Sequence, residues 1–283
     1  MSQQTKAAEF RRLHSESRPL VLPNAWDAAS ARIFEDTGFP CIGTTSAGIA
    51  WALGYPDGQR VSREEMLEAV RRIVRTVQVP VSADIEAGYG DAPEEVATTV
   101  RSVIDAGAVG INLEDSPGID GEPLAQISLQ IEKIKAAREA ASQAGAPLFI
   151  NARTDVYLMS VGKPESRFDN ALRRARAYRE AGADGIFVPG LAEANVIADL
   201  VRTIDAPLNI LANAGVPSVS ELGRLGVARI SIGSGAIRAT LSLVRHIAGD
   251  LLEQGTYTNF TEGTISYADV NRLLDNAPDA LSL

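Results

Sequence analysis

The chain has 283 residues, 45% of them hydrophobic, and a formal net charge of −9. That length suits one (β/α)8 barrel of ~250 residues with short extensions, and no apolar stretch approaches the ~20 residues of a membrane span. Basic runs stop at Arg71-Arg72 and Arg173-Arg174, which read as solvated helix faces, so nucleic acid and membrane are excluded as partners. The single cysteine, Cys41, excludes an internal disulfide and a multi-thiolate metal site and reads as a small core residue. The first twenty residues mix Glu with Arg and lack an apolar signal core, so a cytoplasmic protein is expected.

A short helix is expected near residues 5–16, within an N-terminal segment 1–18. Eight short apolar runs follow, and their entrances alternate between two kinds. Residues 20–23, 81–83, 148–150 and 208–211 each follow a proline; residues 42–45, 109–113, 186–188 and 227–232 each follow a glycine-bearing turn. Stretches with helical spacing of apolar residues separate them. This is an eightfold strand–helix repeat, the pattern of an α/β (β/α)8 TIM-type barrel over residues 19–254. Asp27 is placed to cap the first helix, Ser62-Arg63-Glu64-Glu65 reads as a capping box after a long loop, and Pro93 stands at a helix start. A tail, 255–283, holds one more helical pattern at 266–274, expected to pack on a neighbouring subunit.

Active sites of such barrels lie just past the C-terminal ends of the strands. Asp57, Asp84, Glu86, Glu114 and Asp115 all fall there. Alternation would send Asp84 and Glu86 to the same face, and so many carboxylates need a cation or shifted pKa values. Capping and loop hydrogen bonding is the alternative, above all for Asp115. His14 precedes the barrel and His246 lies inside the last helix, so the site is all oxygen and favours Mg2+ over Zn2+, with Mn2+ as the alternative.

Arg153 can hold a substrate carboxylate with its planar fork, or it can form a structural ion pair. Successive amides of Thr45, Ser46 and Ala47 can form an anion nest, or an ordinary turn. Asn213, past the seventh strand, joins them as a substrate-binding candidate. Gly233-Ser234-Gly235 can cradle a phosphate or make a tight turn. None of the four lysines ends a strand, which excludes a Schiff-base aldolase.

The segments Asp84-Ile-Glu86-Ala-Gly-Tyr-Gly90, Leu113-Glu114-Asp115, Asn151-Ala-Arg153-Thr-Asp155 and Leu53-Gly-Tyr-Pro-Asp57 together resemble the isocitrate lyase/phosphoenolpyruvate mutase superfamily. The resemblance spans about residues 20–275. It implies an α/β barrel whose terminal helix is swapped between subunits of a homodimer or homotetramer. It also implies direct contact of Asp84 with Mg2+, with Asp57, Glu86 and Glu114 holding the ion's waters, and a grip on the substrate carboxylate by Thr45, Ser46, Ala47 and Arg153. Glu86 stands where the family usually has Asp. The lid, residues 116–124, lacks both the Lys-Cys-Gly-His type motif of isocitrate and methylisocitrate lyases and the lid of the phosphonopyruvate enzymes.

The expected activity is therefore Mg2+-dependent carbon–carbon lysis of a small 2-hydroxy or 2-oxo carboxylate through a metal-stabilised enolate or oxyanion. Arg153 is expected in catalysis. Glu122 on the lid is the candidate proton donor, ahead of Asp120, Tyr89 or water. The alternatives are phosphonopyruvate-type P–C chemistry, oxaloacetate decarboxylation, or a non-catalytic keto-acid-binding barrel.

Overall fold

Proline has no N–H to give a sheet, and Pro23 divides the first barrel strand into two halves. In the computed structural model, which describes residues 1–117 and 123–275, these halves are β1 (Leu20–Leu22) and β2 (Asn24–Ala25). They are followed by β3 (Ile42–Thr44), β4 (Val81–Asp84), β5 (Gly110–Glu114), β6 (Phe149–Arg153), β7 (Gly185–Phe187), β8 (Leu208–Leu211) and β9 (Arg229–Ser231). β1 pairs with β9, Leu22 opposite Ser231, while β2 pairs with β3, Asn24 opposite Gly43. Every pairing is parallel. Because the two halves are consecutive in the chain, the nine-stranded sheet closes into the expected barrel.

The helices are α1 (Gln3–Leu13), α2 (Ala28–Asp36), α3 (Ser46–Ala52), α4 (Arg63–Thr76), α5 (Pro93–Asp105), α6 (Ile127–Gln143), α7 (Pro164–Glu180), α8 (Ala194–Thr203), α9 (Val219–Arg224), α10 (Gly235–Gly249) and α11 (Tyr267–Asp275). The caps fall as read: Asp27 caps α2, Ser62 and Glu65 form the box that opens α4, and Pro93 is the first residue of α5. α4 shows why such a segment folds. Met66, Leu67, Val70 and Ile73 recur at helical spacing, and all four are buried against the sheet. α3 corrects the expected long loop: Thr45 caps a seven-residue helix there by accepting from the Gly48 amide.

α1 plugs the floor. Its Phe10 meets Phe149 edge to face, and the following His14 stacks on the same ring at 4.1 Å between centroids. His14 Nδ1 lies 2.8 Å from the Phe10 carbonyl, and burial then the nearby Arg229 push its pKa down to about 3. Cys41 lies fully buried in this layer, its thiol raised to about 12 by burial. It is a core residue, as read.

One further arrangement differs from expectation. Arg173 is solvated, but Arg174 is buried and bonded to Asp115, so that basic pair is not a solvated face. α10, the helix after the last strand, buries only Ile237; its Leu241, Leu243 and Val244 are exposed, as are Leu251 and Leu252 in the turn beyond it. The tail helix α11 leans on α2 of its own chain, Arg32 Nε donating to the Leu273 carbonyl at 3.0 Å. Among the described residues no helix is long and apolar enough to cross a membrane.

Candidate active site

Asp84 ends β4, Glu114 ends β5 and Arg153 ends β6, so strand register alone brings them to one mouth. Asp84 pairs in register with Asn112, and Glu114 with Arg153. Arg153 Nη1 lies 2.6 Å from Glu114 Oε2, while its Nε and Nη2 bind Asp155 bidentately at 2.6 and 2.8 Å. The structural ion pair weighed for Arg153 is therefore present. A guanidinium has five N–H donors, and these contacts occupy three, leaving one each on Nη1 and Nη2. Its carbon sits 5.8 Å from the centroid of the Phe187 ring, which fixes the guanidinium from below.

Electrostatics follow from burial. The Glu114 carboxyl is held well above its ordinary value by burial, and the charges of Asp155, Asp84 and Glu86 reinforce this against Arg153. Asp155 is likewise raised by burial against the pull of Arg153. Arg153 loses hydration in the same place, yet Glu114 and Asp155 hold its pKa above the usual arginine value. Asp57 is exposed on the mouth's lip. Partial loss of water and then the charge of Asp84 raise its carboxyl, opposed by the Gly58 amide and Arg153.

Glu86 reaches the mouth by a route that alternation does not supply. β4 stops at Asp84, and Glu86 adopts a left-handed backbone, φ 51°. Its Oε2 accepts from the Gln59 amide at 2.5 Å and its Oε1 from the Tyr89 hydroxyl at 2.8 Å. Gln59 and Tyr89 are left-handed too, both at φ 55°. Three of the four left-handed non-glycine residues among those described thus meet at one carboxylate, its owner Glu86 and its two donors, a concentration of backbone strain typical of functional sites. Burial raises Glu86 to about 7, Tyr89 and Gln59 pulling it down while Asp84 and Asp57 push it up. Burial and the Glu86 charge push the Tyr89 phenol well above its ordinary value.

The nest expected at residues 45–47 takes a different form. The Thr45 amide donates to the Ala25 carbonyl. Ser46 spends its amide (3.1 Å) and hydroxyl (2.8 Å) on Asp84 Oδ2. Thr44 Oγ1 accepts from the Asp84 backbone amide at 2.8 Å, which fixes the main chain there, while Ser46 orients the carboxylate. The other oxygen, Asp84 Oδ1, is buried without a partner. Asn213 is exposed in the loop after β8, its Oδ1 accepting from the Ala214 amide. Gly233-Ser234-Gly235 resolves as a turn: Asn24 Oδ1 takes the Ile232 and Gly233 amides at 3.0 and 2.9 Å, where a phosphate oxygen would sit. Gly43 makes room for that asparagine, since a Cβ there would lie 2.7 Å from Asn24 Nδ2. Glu122 and Asp120 lie outside the described residues.

Sequence reasoning missed Gln59, and it read Asp115 as a hydrogen-bonding residue without finding its partners on α7. Gln59 ties three loops together, its side chain accepting from the Tyr89 amide (2.7 Å) and donating to the Pro117 carbonyl (3.2 Å) at the root of the lid. Asp115 accepts from Tyr178 (2.7 Å), Arg174 (3.0 Å) and the Asp155 amide (3.0 Å), so α7 braces Asp115, which anchors the Asp155 that grips Arg153. The spacing of Arg174 and Tyr178, four apart on one helix face, was the available signal.

Among the described residues no three His, Cys, Asp or Glu side chains come close enough to ligate one ion together. The donor set fits an ion held directly by one carboxylate, the orphaned Asp84 Oδ1, and otherwise through water, as Mg2+ prefers.

A family model described as phosphoenolpyruvate phosphomutase matches residues 10–252. An oxaloacetate decarboxylase of Pseudomonas aeruginosa is 33% identical over 86% of this chain and 85% of its own. A 2-methylisocitrate lyase of Bacillus subtilis is 31% identical over 73% of this chain and 67% of its own. A crystal structure from Burkholderia cenocepacia, of a candidate lyase/mutase, superposes with a TM-score of 0.91 at 38% identity and covers 98% of each chain. Barrel, acidic mouth and these matches agree: the chain belongs to the isocitrate lyase/phosphoenolpyruvate mutase superfamily of lyases and mutases.

Proposed function

We propose that the chain cleaves a carbon–carbon bond in a small 2-hydroxy or 2-oxo carboxylate with the help of Mg2+, Mn2+ serving as a substitute. The observation that carries this reading is the orphaned Asp84 Oδ1 in the same mouth as a guanidinium with two N–H donors to spare. Bound there, Mg2+ supplies a Lewis acid for the substrate's 2-oxygen. Ser46 and Thr44 hold Asp84 in its orientation. Asp57, Glu86 and Glu114 orient water around it. Arg153 takes the substrate carboxylate, assisted by the Ala47 amide and Asn213, while Thr45 and Ser46 stay engaged with Ala25 and Asp84. In a 2-hydroxy acid the hydroxyl gives its proton to a water at the mouth and becomes a carbonyl as the adjacent C–C bond breaks. The electron pair stays on the departing carbon, which takes a proton from Glu122.

A screen tests this: protein and Mg2+ are incubated with a pool of 2-hydroxy and 2-oxo diacids, and mass spectrometry identifies what disappears. Two organic products from one diacid are expected. No turnover across the pool, with oxalate or pyruvate still bound, would leave a non-catalytic binding barrel. The similarity to the Pseudomonas enzyme favours one second reading, decarboxylation of oxaloacetate, which release of CO2 with a single organic product identifies. Inorganic phosphate from phosphonopyruvate would instead mark P–C chemistry.

The same proposal extends to assembly as a homodimer or homotetramer with the C-terminal helices exchanged. The exposed apolar side of α10 supports it, as does an open apolar groove of about 710 Å3 on the outer wall, lined by Trp26, Ile49, Leu53, Ala69 and Leu274 among others.

A further inference from the structure

The barrel interior below the mouth is polar. Ser82, Asn112, Asn151, Asn209 and Ser231 are all buried there, together with one guanidinium, Arg229, which is 1% exposed. Arg229 opens β9, and its hydrogen bonds are few and long. Nε donates to Ser231 Oγ at 3.2 Å, Nη2 donates to Asn112 Oδ1 at 3.3 Å, and Nη1 has no partner. Among the described residues no carboxylate forms an ion pair with it. Neither acceptor depends on it, since Asn151 donates to Asn112 Oδ1 at 2.8 Å and Asn209 donates to Ser231 Oγ at 3.0 Å. What Arg229 adds to this layer is its charge, and an unpaired buried charge is costly to keep.

That charge sits under the acidic mouth. Asn112, which the guanidinium touches, is the register partner of Asp84. Burial draws the Arg229 pKa down to about 10, opposed first by Cys41 of the floor and then by the charge of Asp84, the one carboxylate that acts on it. Residues that break a local rule at this expense mark places where function outweighs stability.

We propose that Arg229 is a positioning residue for the metal: a fixed positive charge inside the barrel that opposes the divalent cation from below and keeps its binding at Asp84 weak enough to exchange. This rests on the metal-binding reading above. A structural strut, once removed, would weaken the site; an opposing charge, once removed, tightens it.

The test is Mn2+ binding to the full-length protein, by calorimetry and electron paramagnetic resonance, at a pH where the mouth is ionised. Arg229→Met and Arg229→Gln remove the charge, and Arg229→Lys keeps it. Both neutral variants are expected to bind Mn2+ about tenfold or more tightly, and the lysine variant within about twofold of wild type. Unchanged or weaker Mn2+ binding in folded Met and Gln variants overturns the proposal. So does loss of the native near-UV circular dichroism in both, which would make Arg229 a strut. Absence of Mn2+ binding by the wild type would instead sink the metal reading itself, and this inference with it.

Discussion

Glu86→Gln separates the electrostatics of the mouth from its packing. Glutamine is close to isosteric and can still accept from the Gln59 amide, so it imitates a protonated Glu86. Burial lifts the native carboxyl to about 7 from the ordinary 4.5. The folded value lies above the unfolded one, so the native state holds the extra proton. The stability this confers is complete below about pH 4.5 and is lost as pH rises through about 7. At 1.36 kcal/mol per pKa unit the loss amounts to about 3 kcal/mol. The glutamine variant escapes it. In urea unfolding with chelator present, Glu86→Gln is expected to exceed wild type by about 3 kcal/mol near pH 8 and to match it within about 0.5 kcal/mol near pH 4. Added Mg2+ should restore wild type more than the variant at the higher pH, because a ligand that binds only the folded state stabilises it by mass action. A variant less stable than wild type near pH 8, or an equal difference at both pH values, would refute the account.

The other mouth and surface residues give sharper outcomes. Asp84→Ala should abolish Mg2+ binding by calorimetry together with turnover; tight binding retained by the variant contradicts the assignment of Asp84. Asp115→Ala leaves Arg174 and Tyr178 buried without their carboxylate, so unfolding should cost about 3–5 kcal/mol less than in wild type, and surviving protein should lose kcat as Arg153 loosens; an unchanged melt would show the network to be idle. Val244→Asp places a charge on the bare side of α10 and should reduce the mass seen by light scattering to that of one chain, whereas an unchanged oligomer would remove α10 from the interface.

Much of this architecture is legible because of how parallel barrels are built. Strands buried on both faces read as short uninterrupted apolar runs, and all eight were visible between their proline and glycine entrances. The division at Pro23 was not, because it depends on which neighbour each half finds across the closing seam. α3 was missed because seven residues, Ser46 to Ala52, fall short of the window in which helical periodicity emerges. At the site, Asp84, Glu114 and Arg153 could be placed from the strand-end rule alone. Glu86 could not, since period two ends with the strand and a left-handed turn takes over. Arg174 was read by its neighbour Arg173, although adjacent helix residues point about 100° apart and only one of them faces the sheet.

The two acidic partners of Arg153 are not equivalent, and the difference indicates where substrate enters. Asp155 grips Nε and Nη2 through both oxygens and is itself anchored, its amide bonded to Asp115, which Tyr178 and Arg174 hold from α7. Breaking that side would unpair a chain of buried charges. Glu114 meets Arg153 through one oxygen at Nη1, and burial already favours its neutral form. A carboxylate arriving at the mouth would therefore displace or share the Glu114 side, where a single contact is exchanged, while Asp155 and the Phe187 ring keep the guanidinium plane fixed. The fork is thus held along one edge and offered along the other, and a substrate can be gripped there without refolding what lies behind it.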